Sequence, residues 1–249
     1  IMHYLNIDKA QNDIVTNDIF FKLYKRFCPG PITFILKKRA NSKIHAMATA
    51  KLKTVAVRFP NNSIVRSILK KINFPLAMPS ANLSSRVSPV EATDVADEFK
   101  KNIKFIINGG KSKIGIESTV IDLTEKPKIL RHGIITEKNI KSVLKTNFSK
   151  KKGKIRSPGM LKRHYSPGIP IIIGRKPVNS KHAYIVFGKK YKNIKNIFNL
   201  SKKADLKEAA ANLYKTMRKI KKKGYKKIFV SEIPNQGPGL AINDRLKRA

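Results

Sequence analysis

The sequence predicts a mixed α/β (mixed α+β) fold, in which a three-layer arrangement of a twisted mixed sheet and helices is followed by a small C-terminal α/β unit. Helix-like and strand-like segments interleave along the chain, which is typical of layered α/β architectures. The chain has 249 residues, 41% of them hydrophobic, enough for one large or two modest cores. Residues 149–168 are rich in Lys, Gly, Ser and Pro and predict a linker between two such regions.

Apolar spacing places the elements of the first region. The segment Ser88-Pro89-Val90-Glu91 contains a Ser-x-x-Glu capping box with Pro at the first helical position, so it predicts a helix start. Asn62 or Ser63 can cap an earlier helix. Helices are predicted at residues 18–27, 62–72 and 88–101. Strands are predicted at residues 1–5, 33–36, 54–57, 76–78, 105–107, 119–121 and 129–130.

The second region repeats the alternation on a smaller scale. Strands are predicted at residues 169–173, 184–187 and 228–230, with a helix over 205–223 that Gly224 closes. Its apolar side chains recur at helical spacing and predict one buried face. That face consists of Ala209, Leu213, Met217 and Ile220.

The chain is strongly basic, with 54 Lys and Arg against 15 Asp and Glu and a formal net charge of +39. Such a surface attracts polyanions such as nucleotides, RNA or anionic lipid. Lysines are scattered through nearly every segment, however, so simple solvation of the surface is an equal alternative. The charge indicates a class of partner rather than a reaction.

The cysteine and histidine content limits the disulfides and metal sites that the chain can form. Cys28 is the one cysteine, which excludes an intrachain disulfide and a thiolate metal cluster and indicates a reducing, cytoplasmic location. The five histidines show no paired spacing, so no protein-held metal is expected. No apolar run approaches the roughly 20 residues that span a bilayer, so no membrane association is expected.

The segment Pro79-Ser80-Ala81-Asn82 follows an apolar run and precedes the predicted helix start at Ser88. Open α/β sheets bind ligands where strands give way to loops, and Ser and Asn there can donate and accept hydrogen bonds without bulk. A plain Ser/Asn turn is the alternative. Glu117 and Asp122 bracket Ser118-Thr119 on a predicted strand, where alternation puts Ser118 on the face opposite Glu117 and Thr119. Buried, partnered carboxylates are the alternative to a functional role, and for Asp122 this alternative is preferred.

Six segments, in register, resemble the L-threonylcarbamoyladenylate synthases in their longer, two-domain form. They are Pro29-Gly30-Pro31-Ile32-Thr33, Thr54-Val55-Ala56-Val57-Arg58-Phe59-Pro60, Pro79-Ser80-Ala81-Asn82-Leu83-Ser84, Glu117-Ser118-Thr119-Val120-Ile121-Asp122 with Ile129-Leu130-Arg131, the linker segment 157–167 and the ending 239–246. The resemblance covers the chain essentially from end to end. It implies a YrdC-like catalytic domain over 1–148, a linker over 149–168 that closes on the active site, and a Rossmann-like C-terminal domain over 169–249.

The resemblance also implies a reaction: L-threonine, bicarbonate and ATP give threonylcarbamoyl-AMP and pyrophosphate for N6-threonylcarbamoyladenosine at position 37 of tRNA. ATP is a substrate that brings Mg²⁺ with it, since Mg²⁺ keeps waters and needs few protein carboxylates. The product passes to a tRNA threonylcarbamoyl transferase complex. Direct contact with tRNA stays open.

Site residues follow from the matched positions. Arg58 is expected to bind the threonine carboxylate bidentately, with hydroxyls from Ser80 and Ser118 on threonine or its carbamate. Ser80 and Asn82 are the expected catalytic residues. The residues expected to bind ATP are Thr54, Asn82, Ser88, Arg131, His164 and Tyr165, and Arg163 is a weaker candidate. The alternatives are structural: Thr54 can simply begin a strand, Ser118 can be a satisfied strand hydroxyl, and Arg131 can pair with Glu117 or Asp122.

The chain departs from the family pattern in two places. The N-terminal Lys-x-Arg motif is absent, which predicts that this chain alone is inactive or poorly folded, because two phosphate-binding cations are missing. Ser85 replaces a Gly that usually follows the Leu-Ser of the Ser-Ala-Asn segment. Two other functions remain: a non-catalytic RNA-binding protein that uses the basic surface, and a small carbamoyl-transfer accessory domain, which the linker and C-terminal unit disfavour.

Overall fold

The structure is a computed structural model that describes residues 1–145, 148, 164–178, 181–189, 191 and 194–249. The described residues fall into two compact units, each built from two separated stretches of chain. One contains residues 1–79 and 117–145, and the other contains 80–116 and the described residues from 164 onward. Among the described residues, no helix is both long and apolar enough to span a membrane.

The first unit is built on a seven-stranded mixed sheet. Its strands are β1 Met2–His3, β2 Ile14–Val15, β3 Ile32–Lys38, β4 Thr54–Arg58, β5 Leu76–Ala77, β6 Thr119–Asp122 and β7 Lys128–Arg131. The order is β5-β1-β4-β3-β6-β7, with β2 pairing the far end of β3. β3 runs antiparallel to β4 and parallel to β6, and β1 runs parallel to β4. The mixed sheet confirms the predicted fold class.

Three helices accompany this sheet: α1 Asp18–Phe27, α2 Ser63–Lys71 and, later in the chain, α4 Glu137–Leu144. The bounds of α1 match the prediction, and Asn17 caps it by accepting from the Phe20 amide. Asn62 is the cap of α2, which decides between the two candidates for that position. The sequence interpretation missed α4, whose Thr136 and Asn139 form a capping box. It also missed the two-residue strand β2.

The register of the sheet collects polar residues at one edge. His3 pairs with Arg58, and Arg58 pairs with Thr33, so the ends of β1 and β4 lie beside the start of β3. β6 starts at Thr119 beside Ile32, and β7 ends at Arg131 opposite Val120. The opposite end of β4 begins at Thr54, paired with Lys37. The sheet therefore has one edge where arginines and hydroxyls converge.

The second unit has a parallel four-stranded sheet in the order β10-β9-β11-β8. Its strands are β8 Ile171–Ile173, β9 Ala183–Val186, β10 Ile197–Asn199 and β11 Ile228–Val230. The helix α5, Leu206–Lys222, packs its predicted apolar face into the core, and Ala209, Leu213, Met217 and Ile220 are fully buried. Asp205 caps α5, and α6, Pro238–Arg248, closes the chain. β10 was not predicted.

Residues 80–116 pack with this second unit and contain α3, Ala92–Phe99. The predicted capping box at Ser88 and Glu91 is wrong: the N-cap of α3 is Glu91, three residues later than expected, and Glu91 makes no side-chain cap. Instead the Val90 amide donates to Asp94. The strand predicted at 105–107 is also wrong, since the segment pairs with no strand among the described residues, and Phe105 is 88% exposed.

Ser85 occupies a left-handed backbone conformation, with φ of 67°. Glycine adopts this region without the steric penalty of a Cβ, which explains why the family pattern has Gly there. We expect Ser85→Gly to stabilise the second unit by about 0.5–1 kcal/mol, because relief of strain exceeds the added backbone entropy of Gly in the unfolded chain. Denaturant unfolding checks this. Ser84→Gly is the control: its φ lies outside the left-handed region, so equal stabilisation by both changes would contradict the explanation.

Candidate functional site

Two arginines and two hydroxyls converge at the polar edge of the first sheet. Arg131 donates from Nε to the Ser118 carbonyl at 3.0 Å and from Nη2 to the Ser118 hydroxyl at 3.0 Å. The hydroxyls of Ser118 and Thr33 lie 2.8 Å apart, and both residues are buried. Arg58 donates from Nε to the Gly30 carbonyl at 3.3 Å. Backbone contacts thus hold both guanidinium groups at this edge.

The charges of these two guanidinium groups are not balanced by an ion pair within the part of the chain that the structure describes. Among the described residues, no ion pair with a carboxylate includes Arg58 or Arg131. Burial, followed by the positive charge of Arg131, lowers the pKa of Arg58. The structural alternative, in which Arg131 pairs with Glu117 or Asp122, is therefore not what forms. Two cations that repel each other in a partly buried site favour binding of an anion.

Ser118 belongs to this edge because of how β6 begins. Alternation along a strand puts neighbouring side chains on opposite faces. The Thr119 hydroxyl accordingly donates to the Ile135 carbonyl at 2.6 Å, whereas the Ser118 hydroxyl meets Thr33 and Arg131. Gly133 fits closely against this point, since a Cβ there would lie 2.4 Å from the Thr119 amide nitrogen. A glycine is needed at this close approach.

His3 is a further member of the edge. It is 6% exposed, it pairs with Arg58 across β1 and β4, and its Nδ1 lies 3.0 Å from the Ile1 carbonyl oxygen. Burial, together with the Arg58 charge, lowers the pKa of His3 to about 4. His3 is therefore neutral at pH 7 and adds no third positive charge beside the two arginines.

The lowered pKa of His3 predicts a pH dependence of stability. The unfolded chain binds a proton near the ordinary histidine pKa of 6.5, whereas the folded chain does so only near 4, so stability is present above 6.5 and is lost as the pH falls toward 4. We expect the free energy of unfolding to drop by about 2 kcal/mol between pH 7 and pH 5 from this group. Urea unfolding of the chain and of His3→Asn measures it. An identical slope in the variant would contradict the assignment to His3.

Thr54 is not brought to this edge. It begins β4, whereas Arg58 ends the same strand, and four residues of strand separate them by roughly 13 Å. Its backbone pairs with Lys37 near the far end of β3. The expectation that Thr54 binds ATP stays a prediction, and the structure shows the strand-start role that was its alternative.

The other predicted site residues lie in the second unit, around one short contact. Arg86 and Ser166 form an isolated parallel bridge, in which the Ser166 amide donates to the Ser85 carbonyl at 2.8 Å and the Ser166 carbonyl accepts from the Val87 amide at 3.2 Å. Asn82 sits beside it and donates from Nδ2 to the Leu83 and Arg86 carbonyls. Ser88 follows directly. Four expected ATP contacts, Asn82, Ser88, His164 and Tyr165, thus surround one turn.

The Asn82 side chain has a hydrogen-bond acceptor at this turn that no described residue uses. Both hydrogen bonds of its side chain use Nδ2, and its Oδ1 is buried without a hydrogen-bond partner among the described residues. A buried amide oxygen normally has a donor. An incoming hydroxyl or amino group would satisfy it. Ser80, which accepts from the Asn82 amide through its carbonyl at 3.0 Å, is exposed.

Tyr165 and His164 are placed by the core of the second unit. Tyr165 is fully buried at a φ of 66°, stacks on Tyr214 with ring centroids 5.9 Å apart, and lies beneath the Arg245 guanidinium at 5.3 Å. The His164 amide donates to the Arg248 carbonyl at 2.9 Å. In this arrangement Tyr165 packs against protein on both sides. Arg163 and most of the predicted linker lie outside the described residues.

Two family models match the chain. Sua5_yciO_yrdC, described as telomere recombination, matches residues 1–133, and Sua5_C, described as the C-terminal domain of threonylcarbamoyl-AMP synthase, matches residues 135–249. The threonylcarbamoyl-AMP synthase of Pyrococcus abyssi is 35% identical over 91% of this chain and 72% of its own length. The chain belongs to the threonylcarbamoyl-AMP synthase family. The Bacillus subtilis member is 32% identical, over 91% of this chain and 71% of its own length.

A solved member of the synthase family has the same fold. The crystal structure of Pyrococcus abyssi Sua5 complexed with L-threonine matches 100% of this chain and 78% of that chain, with a TM-score of 0.87 and 31% identity. The mixed α/β fold and the two-part organisation seen here agree with that match. Family membership confirms the resemblance that the six segments indicated.

Sequence reasoning on this synthase family member missed two residues of the polar edge, Thr33 and His3. Thr33 ended one of the six family-like segments without being given a role, and its position after Pro29-Gly30-Pro31 was the available signal. His3 gave no signal, since a single histidine in a short strand carries no spacing pattern. Only strand register brings it beside Arg58.

Proposed function

We propose that the chain catalyses the family's reaction, in which L-threonine, bicarbonate and ATP become threonylcarbamoyl-AMP, pyrophosphate and water. The observation that supports this most directly is the pair of arginines without acidic partners, Arg58 and Arg131, held beside the Ser118 and Thr33 hydroxyls. Each substrate of this reaction carries a negatively charged group: the threonine carboxylate, bicarbonate and the ATP phosphates. The Sua5 of Pyrococcus abyssi forms a crystalline complex with L-threonine, which agrees with an amino-acid site.

The proposed chemistry has two steps. The threonine amine attacks bicarbonate, and loss of water leaves an N-carboxylate, the carbamate. A carbamate oxygen then attacks the α-phosphorus of ATP, and the bond from that phosphorus to the bridging oxygen breaks to release pyrophosphate. Both steps bring negative groups together, so alignment and charge stabilisation are what the protein must supply.

Arg58 suits the threonine carboxylate, because a guanidinium binds a carboxylate through two parallel hydrogen bonds. We assign the Ser118 hydroxyl to threonine or its carbamate, since Arg131 donates to Ser118 Oγ and leaves its proton for another acceptor. Arg131 then carries positive charge toward the nucleotide.

For the second unit we propose that Ser80 and Asn82 are catalytic and that Asn82, Ser88, His164 and Tyr165 contribute to ATP binding. Support comes from the unsatisfied Asn82 oxygen and from the turn that gathers these residues. The proposal that Thr54 contacts ATP rests on the family resemblance alone. The proposed domain boundaries remain 1–148, 149–168 and 169–249.

We propose that Mg²⁺ arrives bound to ATP. Within the described residues, no group of three or more His, Cys, Asp or Glu side chains could hold a metal. Mg²⁺ keeps several waters and binds substrate phosphates, where it neutralises charge. We further propose a cytoplasmic location, on the single cysteine, and delivery of the product to a tRNA threonylcarbamoyl transferase complex.

Pyrophosphate release tests the proposal. It is measured with and without L-threonine and bicarbonate, with serine as the control amino acid. Because the Lys-x-Arg motif is predicted to matter, the assay uses this chain and the same chain preceded by a Lys-x-Arg segment from a family member. Release that needs both co-substrates is the expected result. A folded, extended chain without threonine-dependent release would contradict it.

Non-catalytic RNA binding is the second candidate, and the charge of +39 favours it. Affinity for structured RNA should fall steeply with salt, because each phosphate contact releases a counterion. Threonine-dependent ATP turnover should respond much less. A titration of tRNA binding between low and physiological salt, beside the pyrophosphate assay, separates the two functions.

A further inference from the structure

The second unit contains a cavity of about 1000 Å³ that the proposed reaction does not use. Every strand of the parallel sheet contributes to its wall at the carboxyl end. Ile173 ends β8, Phe187 and Gly188 follow β9, Lys202 and Lys203 follow β10, and Glu232 to Asn235 follow β11. Ligands of open parallel sheets bind outside these ends, where neighbouring connections diverge. The cavity lies where this fold offers a binding crevice.

The cavity lies beside two neighbouring strands of the sheet. The order is β10-β9-β11-β8, so β9 and β11 are adjacent and parallel. The loops that follow these two strands both line the cavity. Loops at the carboxyl ends of neighbouring parallel strands are where open sheets bind small molecules.

The charge of the cavity is strongly positive. Its described lining residues include four lysines, Lys189, Lys202, Lys203 and Lys247, and one carboxylate, that of Glu232. No ion pair among the described residues involves any of the four ammonium groups. Solvation explains lysines scattered over a convex surface, whereas four that converge on a concavity create a focused positive potential.

Apolar and aromatic side chains also line the cavity. They are Ile173, which is 41% exposed, Phe187, Tyr191, Ile233 and Pro234. Asn243 is fixed among them, because its Nδ2 donates to the Ile233 carbonyl at 3.0 Å and to Asn235 Oδ1 at 3.3 Å. Small-molecule sites have this composition, with apolar walls and a few placed polar groups, and volumes of about 300–1,000 Å³.

We propose that this cavity binds a nucleoside monophosphate or a ligand of the same chemistry, a planar ring that carries a phosphate. Lys202 and Lys203 hold the phosphate, and Tyr191 and Phe187 contact the ring. Two amides at the start of α5 are already occupied, since Asp205 accepts from the Lys207 and Glu208 amides. The lysine side chains are therefore what binds the phosphate. The site is built from residues of the second unit alone and does not depend on the proposed reaction.

Calorimetric titration of the full chain with AMP tests this site. The titration is repeated in Arg131→Ala, so that nucleotide bound by the first unit does not mask the result. We expect the double variant Lys202→Gln with Lys203→Gln to raise the dissociation constant of AMP at least about tenfold, because it removes two charge-assisted hydrogen bonds. The matched control is Lys215→Gln with Lys219→Gln, two exposed positions of α5 outside the cavity with the same change in charge.

Equal weakening by both double variants would overturn the site, because it would reduce the effect to overall charge. Absence of AMP binding to the folded chain would overturn it as well. The contact with the ring is tested by titrating Tyr191→Leu with AMP and with inorganic phosphate. This variant should bind AMP more weakly and bind phosphate as tightly as the parent chain. The double variant is also tested for tRNA binding. If it loses affinity for tRNA and the parent chain does not bind AMP, the lysines form an RNA-binding surface and the small-molecule site is overturned.

Discussion

Arg58→Ala is expected to lower threonine-dependent pyrophosphate release at least about a hundredfold, the effect of removing one donor aimed at developing charge. Arg58 ends β4 between His3 and Thr33 and has no acidic partner among the described residues, so its charge is available to the threonine carboxylate. The Michaelis constant for threonine should rise more than that for ATP. Arg58→Lys should recover only part of the activity, because an ammonium keeps the charge but loses the planar fork.

The matched control is Arg26→Ala, an exposed arginine in the same unit whose contact is the ring of Phe27. It changes the net charge equally and should leave release unchanged. Activity is measured on the chain with the Lys-x-Arg segment, and threonine binding is measured by calorimetry on the chain as it stands. An Arg58→Ala variant that folds and binds threonine as tightly as the parent would remove Arg58 from the site.

Arg218→Met is expected to destabilise the second unit by about 3–5 kcal/mol, the cost of leaving the buried Asp94 carboxylate without its cation and Glu98 with only the more distant Arg86. Arg218 lies on α5 and contacts both α3 and the residues that precede α3 in the chain. Its Nη2 donates to the Val87 carbonyl at 2.5 Å and to Glu98 at 3.3 Å, and its Nε lies 3.9 Å from Asp94. The Asp94 and Glu98 side chains are each 6% exposed. This one side chain fixes the segment that follows the Ser-Ala-Asn turn.

Lys222→Met is the control for Arg218. Lys222 lies one helical turn further along α5 and pairs with Asp97 of the same helix α3 at 2.6 Å, but both side chains are more than half exposed. Exposed pairs contribute little, so this change should be small beside that of Arg218. Denaturant unfolding with a probe in the second unit measures both. A similar loss from the two variants would show that burial of the carboxylates is not what matters.

Elements with a strong local pattern were predicted well. α1 and β11 have the predicted bounds, and the four predicted interior residues of α5 are fully buried, because periodicity alone decides which side of a helix faces the core. The unusual local turn at Ser85 was also indicated by the sequence, through the Gly that it replaces. These features depend on a few neighbouring residues.

The failures are equally specific. Ser88 and Glu91 are the residue types of a capping box, yet they do not form one. Instead Asp94 accepts from the Val90 amide and lies near Arg218, a residue 124 positions away. At 105–107 an apolar run looked like a strand, yet a strand exists only where another strand pairs with it. Local pattern cannot supply either of those distant partners.

By itself the sequence determined the mixed α/β class, the family, and the residue types of the polar edge, because motifs and hydrophobic periodicity are local or ordered along the chain. The tertiary structure decided which of those residues meet. Strand register brought His3, Thr33 and Ser118 to Arg58 and left Thr54 at the other end of β4. The four cavity lysines also come from three separate segments, at positions 189, 202–203 and 247. Pairing between distant strands sets such neighbours, and no local pattern encodes that pairing.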